Sequence, residues 1–261
     1  MDSISQILNY KDKNDFLKTW YRQRSFFTTA HLKYIAIIAM LLSHISQTGF
    51  LYMLGADYYQ IAGTFTLIGR IAMPIFCFFT VQAVIFTKDI KKYFTRMLLF
   101  ALVSEVPFDL AFREAPVYWE SQNVIFTLLI GAIAIYLIDL IWKSDNHPLV
   151  KFIAILLVAC IMPILANVMR TDYSSKGVIA IILMYLARNS KVLTCIAILI
   201  GFYFEFIMPG GFTAMTYGVV YLSIPLILLY NAQKGKQNRW VFYIFYPTHL
   251  FILYLLKLLI I

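Results

Sequence analysis

His44, Arg70, Glu105, Asp109, Glu205 and His249 all lie inside runs of apolar residues, and Asn123 opens a further run. Imidazoles exchange protons near neutral pH, a guanidinium can steady a developing oxyanion, and a carboxylate can orient either group. Together they would suit a group-transfer reaction in a buried pocket. The same inventory also serves proton relays in pumps and transporters. Quieter roles exist for each residue. Arg70 can pair with Glu105 or Asp109. Asp109 and Glu205 lie near the ends of their runs, where water can reach them. Either histidine can hydrogen-bond a backbone carbonyl. In FYIFYPTHLFILYLL, residues 242–256, Pro247 breaks the helical ladder and frees a carbonyl near Tyr243, which an imidazole at His249 would satisfy.

The elements that hold these residues follow from composition. Of 261 residues, 61% are hydrophobic and 13% charged, against about 25% charged in an average soluble domain. The fold class is all-α, a polytopic transmembrane helix bundle. About nine spans are read, at approximately 32–54, 64–87, 95–113, 123–142, 150–169, 174–188, 191–208, 213–230 and 240–261. An ionisable residue in such a span costs about 2.5–3.5 kcal/mol on insertion scales, so each one calls for a reason. With the N-terminus in the cytoplasm, nearly all lysines and arginines fall in inside segments, and Arg113, Arg170 and Lys176 remain outside. That asymmetry predicts a cytoplasmic N-terminus and an external C-terminus. No internal repeat of the transporter kind is evident.

Residues 1–30 form a basic segment, read either as an interfacial helix or as a disordered tail, ahead of a bundle spanning 31–261. It lacks a small-residue cleavage site, so no cleavable signal peptide is read. Cys77, Cys160 and Cys195 each sit in an apolar run without metal spacing. No disulfide framework and no metal site are expected. The net charge of +9 reads as an orientation signal at the membrane lipid surface, with no nucleic acid partner.

Five strings in order resemble the TraX family of membrane proteins: HLKYIAIIAMLLSHIS (31–46), LIGRIAMPIFCFFTVQ (67–82), TKDIKKYFTRMLLFALVSEVPFDLAF (87–112), NVIFTLLIGAIAIYLID (123–139) and FYIFYPTHL (242–250). One departure is visible: Ser43 stands where the family usually has Asp before the histidine. The resemblance implies an acetyltransferase of the bacterial inner membrane. It would carry acetyl from cytoplasmic acetyl-CoA to an extracytoplasmic acceptor, such as the N-terminal amine of a pilin or another exported peptide.

On that reading His44 is the general base. His249 is a second base or an oxyanion-side donor. Arg70 steadies the thioester oxyanion or binds the acceptor, and Glu105 orients His44 or Arg70. Asn123, Asp109 and Glu205 are candidate substrate contacts. Lys88, Lys91, Lys92 and Arg96 are candidate sites for the coenzyme's phosphates, although positive-inside topology alone also explains them. Two other classes fit the same residues: an exporter of a small solute, and a non-enzymatic assembly factor of a conjugation or secretion apparatus.

Overall fold

The structure, a computed structural model, describes residues 13–21, 26–203 and 218–260. Within them the chain is helical, and extended pairing is confined to two isolated bridges, Phe27 with Tyr230 and Gln122 with Thr171. The helices are α1 (Lys13–Trp20), α2 (Thr29–Gln47), α3 (Phe50–Met53), α4 (Tyr59–Gly69), α5 (Ala72–Phe86), α6 (Ile90–Arg113), α7 (Val124–Lys143), α8 (Pro148–Val168), α9 (Ser174–Leu186), α10 (Lys191–Phe202), α11 (Ser223–Leu228) and α12 (Arg239–Leu258).

Short polar side chains between the apolar runs start the long helices. Thr28, Asp89, Asn123, His147, Ser190 and Asn238 each accept a bond from a first-turn backbone N–H, and Pro148 occupies the first turn of α8. Among the described residues five stretches are long and apolar enough to cross a membrane: Thr29–Gln47, Ala56–Phe86, Val124–Lys143, Pro148–Val168 and Trp240–Leu258. Of the other expected runs, α6 is long enough at 24 residues but carries Lys91, Lys92, Arg96, Glu105, Asp109 and Arg113, whereas α9 and α10 are short. At 13 residues α9 is about 20 Å long, short of a bilayer's hydrocarbon thickness of about 30 Å. It is instead wrapped by α5, α7, α8 and α10, and Val178, Ala180 and Ile181 are fully buried at the centre of the bundle. The run expected at 64–87 is broken at Arg70–Ile71 between α4 and α5. Pro74 has no N–H to continue the ladder there, yet it is tolerated in the first turn of α5.

Residues 13–20 do not simply lie on a surface. Phe16 and Trp20 are buried against Phe78, Phe86 and Tyr230, and the Trp20 indole N–H donates to the Arg188 carbonyl at 2.8 Å. The same end of the bundle brings residues 28–30 beside 233–234. The opposite end gathers Asp109 with Tyr118, Gln122 with Arg170 and Asp172, and Lys257 with Glu114. The Lys257 ammonium, 2.8 Å from Glu114, holds that exposed carboxyl below its usual range.

Two contacts set the framework around His44. Helix α2 packs closely along α4 through small residues: a Cβ added to Gly69 would fall 2.1 Å from Ser43 Cβ and 3.1 Å from the Ala39 carbonyl. The Ser46 hydroxyl donates to the Ala62 carbonyl (2.7 Å) and accepts from Thr66 (2.8 Å), adding polar bonds across the same seam. Helix α12 lies along α6 and touches α2 more sparingly. Gly69→Ala is therefore expected to cost about 1–3 kcal/mol by overpacking, lowering the thermal unfolding midpoint of the purified protein. Gly63→Ala, with nothing within 4 Å of the new methyl, should be neutral or mildly stabilising. Equal midpoints for the two variants would rule out the tight α2–α4 contact.

Candidate active site

His44 and His249, 205 residues apart in sequence, meet between α2 and α12 with Nδ1 of His44 2.8 Å from Nε2 of His249. Their ring planes differ by 5° and the centroids are 5.1 Å apart. A short nitrogen–nitrogen distance with so wide a centroid separation means that the rings lie edge to edge, and the bond runs in their common plane. Nδ1 of His249 then reaches the Phe245 carbonyl at 2.7 Å, one turn back on α12.

This chain of bonds orders the protons. A carbonyl only accepts, so His249 Nδ1 carries a hydrogen. In a neutral pair its Nε2 offers a lone pair and His44 Nδ1 donates to it. That leaves the lone pair on His44 Nε2. Among the described residues nothing hydrogen-bonds that atom. The rings of Phe112 (5.3 Å) and Tyr246 (6.2 Å) stand edge-on to His44. Chemically, such an arrangement can serve as a base with a second group fixing its tautomer, the logic of a nucleophile-activating pair in which imidazole replaces the usual carboxylate.

The carbonyl that receives His249 is that of Phe245, not one near Tyr243 as Pro247 alone suggested. Ser43 faces α4, packed on Gly69, while His44 faces α12, because successive helical residues point about 100° apart. The position before the histidine therefore does not orient the imidazole in this chain.

Glu105 does not contact His44. Its Oε2 accepts from the Asn123 backbone N–H at 3.2 Å and from the Asn123 side chain. Asn123 also donates to the Ala101 carbonyl (2.9 Å) and, through Oδ1, caps Ile125 N (3.0 Å). With both amide hydrogens engaged and no exposed surface, Asn123 has nothing left to offer a substrate; it positions Glu105 and starts α7. Glu105 Oε1 is buried without a partner among the described residues. Asp109 behaves similarly: Oδ2 accepts from Tyr118 N at 2.7 Å, and buried Oδ1 has no described partner.

Arg70 caps the end of α4 directly after Gly69, so its backbone lies beside Ser43, the neighbour of His44. No hydrogen bond or ion pair joins it to Glu105 or Asp109. Glu205 lies outside the described residues. Lys88, Lys91, Lys92 and Arg96 are exposed around the start of α6, and Lys92 pairs with Asp89 at 3.2 Å. Among the described residues no cluster of His, Cys, Asp and Glu is arranged to hold a metal ion.

Sequence reasoning missed a cavity of about 220 Å³ between α2, α5, α6, α7 and α12. Lys33, Ile37 and Met40 line it from α2; Phe242, Phe245 and Tyr246 line it from α12. The signal was present in the sequence. Positions 33, 37, 40 and 44 form one helical stripe, so the lining residues lead to His44. Tyr246 stands at the junction, its ring in contact with Phe100 (5.9 Å), His44 and His249 (5.7 Å). Its hydroxyl approaches the Val124 backbone N–H within electrostatic range of Glu105.

Fold and site define a helical membrane protein with a buried imidazole pair next to an apolar chamber. The chain matches the family described as TraX protein over residues 28–257 and belongs to that family. It is also similar to the probable fimbrial assembly protein FimC, serogroup H1, of Dichelobacter nodosus. That relative is 25% identical over 245 residues, covering 87% of this chain and 94% of the relative. No solved structure matches the chain significantly.

The Asn123–Glu105 contact can be tested by charge. Asn123→Ala should lose about 1 kcal/mol of capping as well as the bonds to Glu105. Asn123→Asp keeps a capping oxygen but sets a second carboxylate against Glu105, and two ionised carboxylates there repel. Its melting point is expected below that of Asn123→Ala at pH 8, with the gap closing by pH 5 as one carboxylate takes a proton. A gap independent of pH would exclude the contact.

Proposed function

We propose that this protein is an integral-membrane acetyltransferase of the bacterial inner membrane. On this reading it moves an acetyl group from cytoplasmic acetyl-CoA to the N-terminal amine of a pilin or other exported peptide. The observation carrying the proposal is the in-line His44–His249–Phe245 carbonyl chain, which leaves a lone pair on His44 Nε2, in a member of the TraX family. The description of the D. nodosus relative as a fimbrial assembly protein supports a pilin-like acceptor. The topology we favour has nine passes, the N-terminus inside and the C-terminus outside, as the distribution of lysine and arginine suggests.

In the reaction the neutral amine attacks the thioester carbonyl. The C–N bond forms, the C–S bond breaks, and the proton shed by nitrogen passes to His44 Nε2. From there it goes to the departing thiolate, so coenzyme A leaves as the thiol. His249 keeps His44 in the reactive tautomer and shares the transient positive charge through the Nδ1–H···Nε2 bond. Arg70, beside the same stretch of α2, is the group proposed to steady the oxyanion, and Glu105 and Asp109 to receive the acceptor's ammonium before it is deprotonated. The transfer needs no metal.

The relative's description as an assembly protein also favours a second reading, a non-enzymatic assembly factor. One assay separates the two: purified protein, labelled acetyl-CoA and a synthetic pilin N-terminal peptide, read by intact mass. His44→Gln is expected to lower transfer by about 10²–10⁴-fold with unchanged folding. His249→Ala should fall between that variant and wild type, because the base remains but its tautomer is no longer held. If His44→Gln restores pilus assembly in cells and no acetyl increment appears with wild type, the assembly-factor reading replaces the enzymatic one.

A further inference from the structure

Three cavities meet at Lys33. The apolar chamber of about 220 Å³ runs inward from it toward Tyr246. A wide mouth of about 620 Å³ lies over it, bounded by Lys234, Gln237, Asn238 and Trp240. A third space of about 380 Å³ joins Lys33 and Lys234 across the floor formed by Phe16 of α1 and Tyr230. The Lys33 ammonium sits over the rings of Phe79 (5.5 Å) and Phe242 (5.2 Å), within electrostatic range of Lys234. Among the described residues no carboxylate pairs with either lysine. A lysine held over two aromatic rings beside a second lysine, with no carboxylate among the described residues paired to either, makes a site for a polyanion.

We infer that Lys33 and Lys234 bind the phosphates of a coenzyme A thioester, whose pantetheine arm lies in the chamber along the Lys33–Ile37–Met40–His44 stripe. The inference rests on the acyltransfer reading above and adds where the donor enters. Lys33 and His44 are 11 residues apart on one helix, a rise of about 16 Å. An extended arm containing two amides, about five peptide units long, spans a similar distance. Beyond Lys33 at its mouth, the chamber is lined by apolar side chains and the hydroxyl-bearing Thr80, Tyr93, Tyr243 and Tyr246, which suits a neutral chain with two amides. Its volume takes one slender chain and not the paired acyl tails of a phospholipid. Tyr246, at the inner end, lies between the chamber and the histidine pair and touches both rings. Lys88, Lys91, Lys92 and Arg96 line none of these three spaces.

The test is equilibrium binding of coenzyme A to the full-length protein in nanodiscs of phosphatidylcholine. Lys33→Gln with Lys234→Gln is expected to weaken binding about tenfold or more. Lys88→Gln with Lys91→Gln and Lys92→Gln should leave it within about twofold. Met40→Trp, which fills the chamber, should weaken coenzyme A binding but not that of adenosine 3′,5′-bisphosphate, which has no arm. Lys234 is exposed, so Lys234→Gln alone carries the test if replacing Lys33 disturbs folding. The inference is overturned if the Lys33 and Lys234 variants bind coenzyme A like wild type, if the Lys88 triple variant loses it, or if wild type does not bind it. It is equally overturned if phosphatidylglycerol, mixed into the disc in a second set of measurements, occupies the mouth and excludes the coenzyme. Binding that depends on Lys33 and Lys234 in a wild-type protein that transfers no acetyl would keep the site and sink the transfer reading.

Discussion

The structure depends on the need of a buried imidazole for a partner at each polar nitrogen. Inside a helix bundle no bulk water satisfies a ring N–H, and an unpaired one costs several kcal/mol in hydrocarbon. His249 meets that demand twice, once on its own helix at the Phe245 carbonyl and once on His44. The second bond ties the first long helix of the chain to the last. Helix α12 otherwise leans mainly on α6, so the histidine bond fixes how α12 sits against α2. It thereby sets the wall of the chamber, since Phe242, Phe245 and Tyr246 share the helix face that carries His249.

The same economy explains the two ends of the molecule. At one end polar groups are consumed by structure: Asn123 spends its donors on Glu105 and Ala101, and Lys257 spends its charge on Glu114. At the other, Lys33 has the ring faces of Phe79 and Phe242 and the neighbouring charge of Lys234, but no carboxylate among the described residues pairs with either lysine. Buried carboxyl oxygens without a described partner on Glu105 and Asp109 give the first end a residual demand for a cation or a proton, and the lysine pair gives the second a demand for an anion. A molecule that passes an anionic donor to a cationic acceptor through a neutral base between them would need this polarity.

Membership of the TraX family and the site geometry are independent supports. The family match covers residues 28–257 and names no atoms. The geometry names atoms and no substrate. They meet at His44, which lies in the strings that carry the family likeness and also holds the only ring nitrogen of the pair left uncommitted within the described residues.

Sequence by itself determined the helical class, the positions of most helix starts and the short list of polar residues worth explaining. Apolar periodicity and capping side chains are local, and each can be read within a few residues. The stripe Lys33–Ile37–Met40–His44 was legible too, once something made it worth reading. Tertiary structure alone decided which polar groups meet. His44 takes His249 rather than Glu105, whose Oε2 is held by Asn123; Ser43 is irrelevant to the imidazole because it faces α4. It also decided that α9 is a buried central helix although its length falls short of a bilayer, and that Trp20, in a segment reading as surface, is core. These outcomes rest on how helices from distant parts of the chain rotate and lean on one another. A pattern along one helix states which face is apolar, but not which neighbour that face will meet.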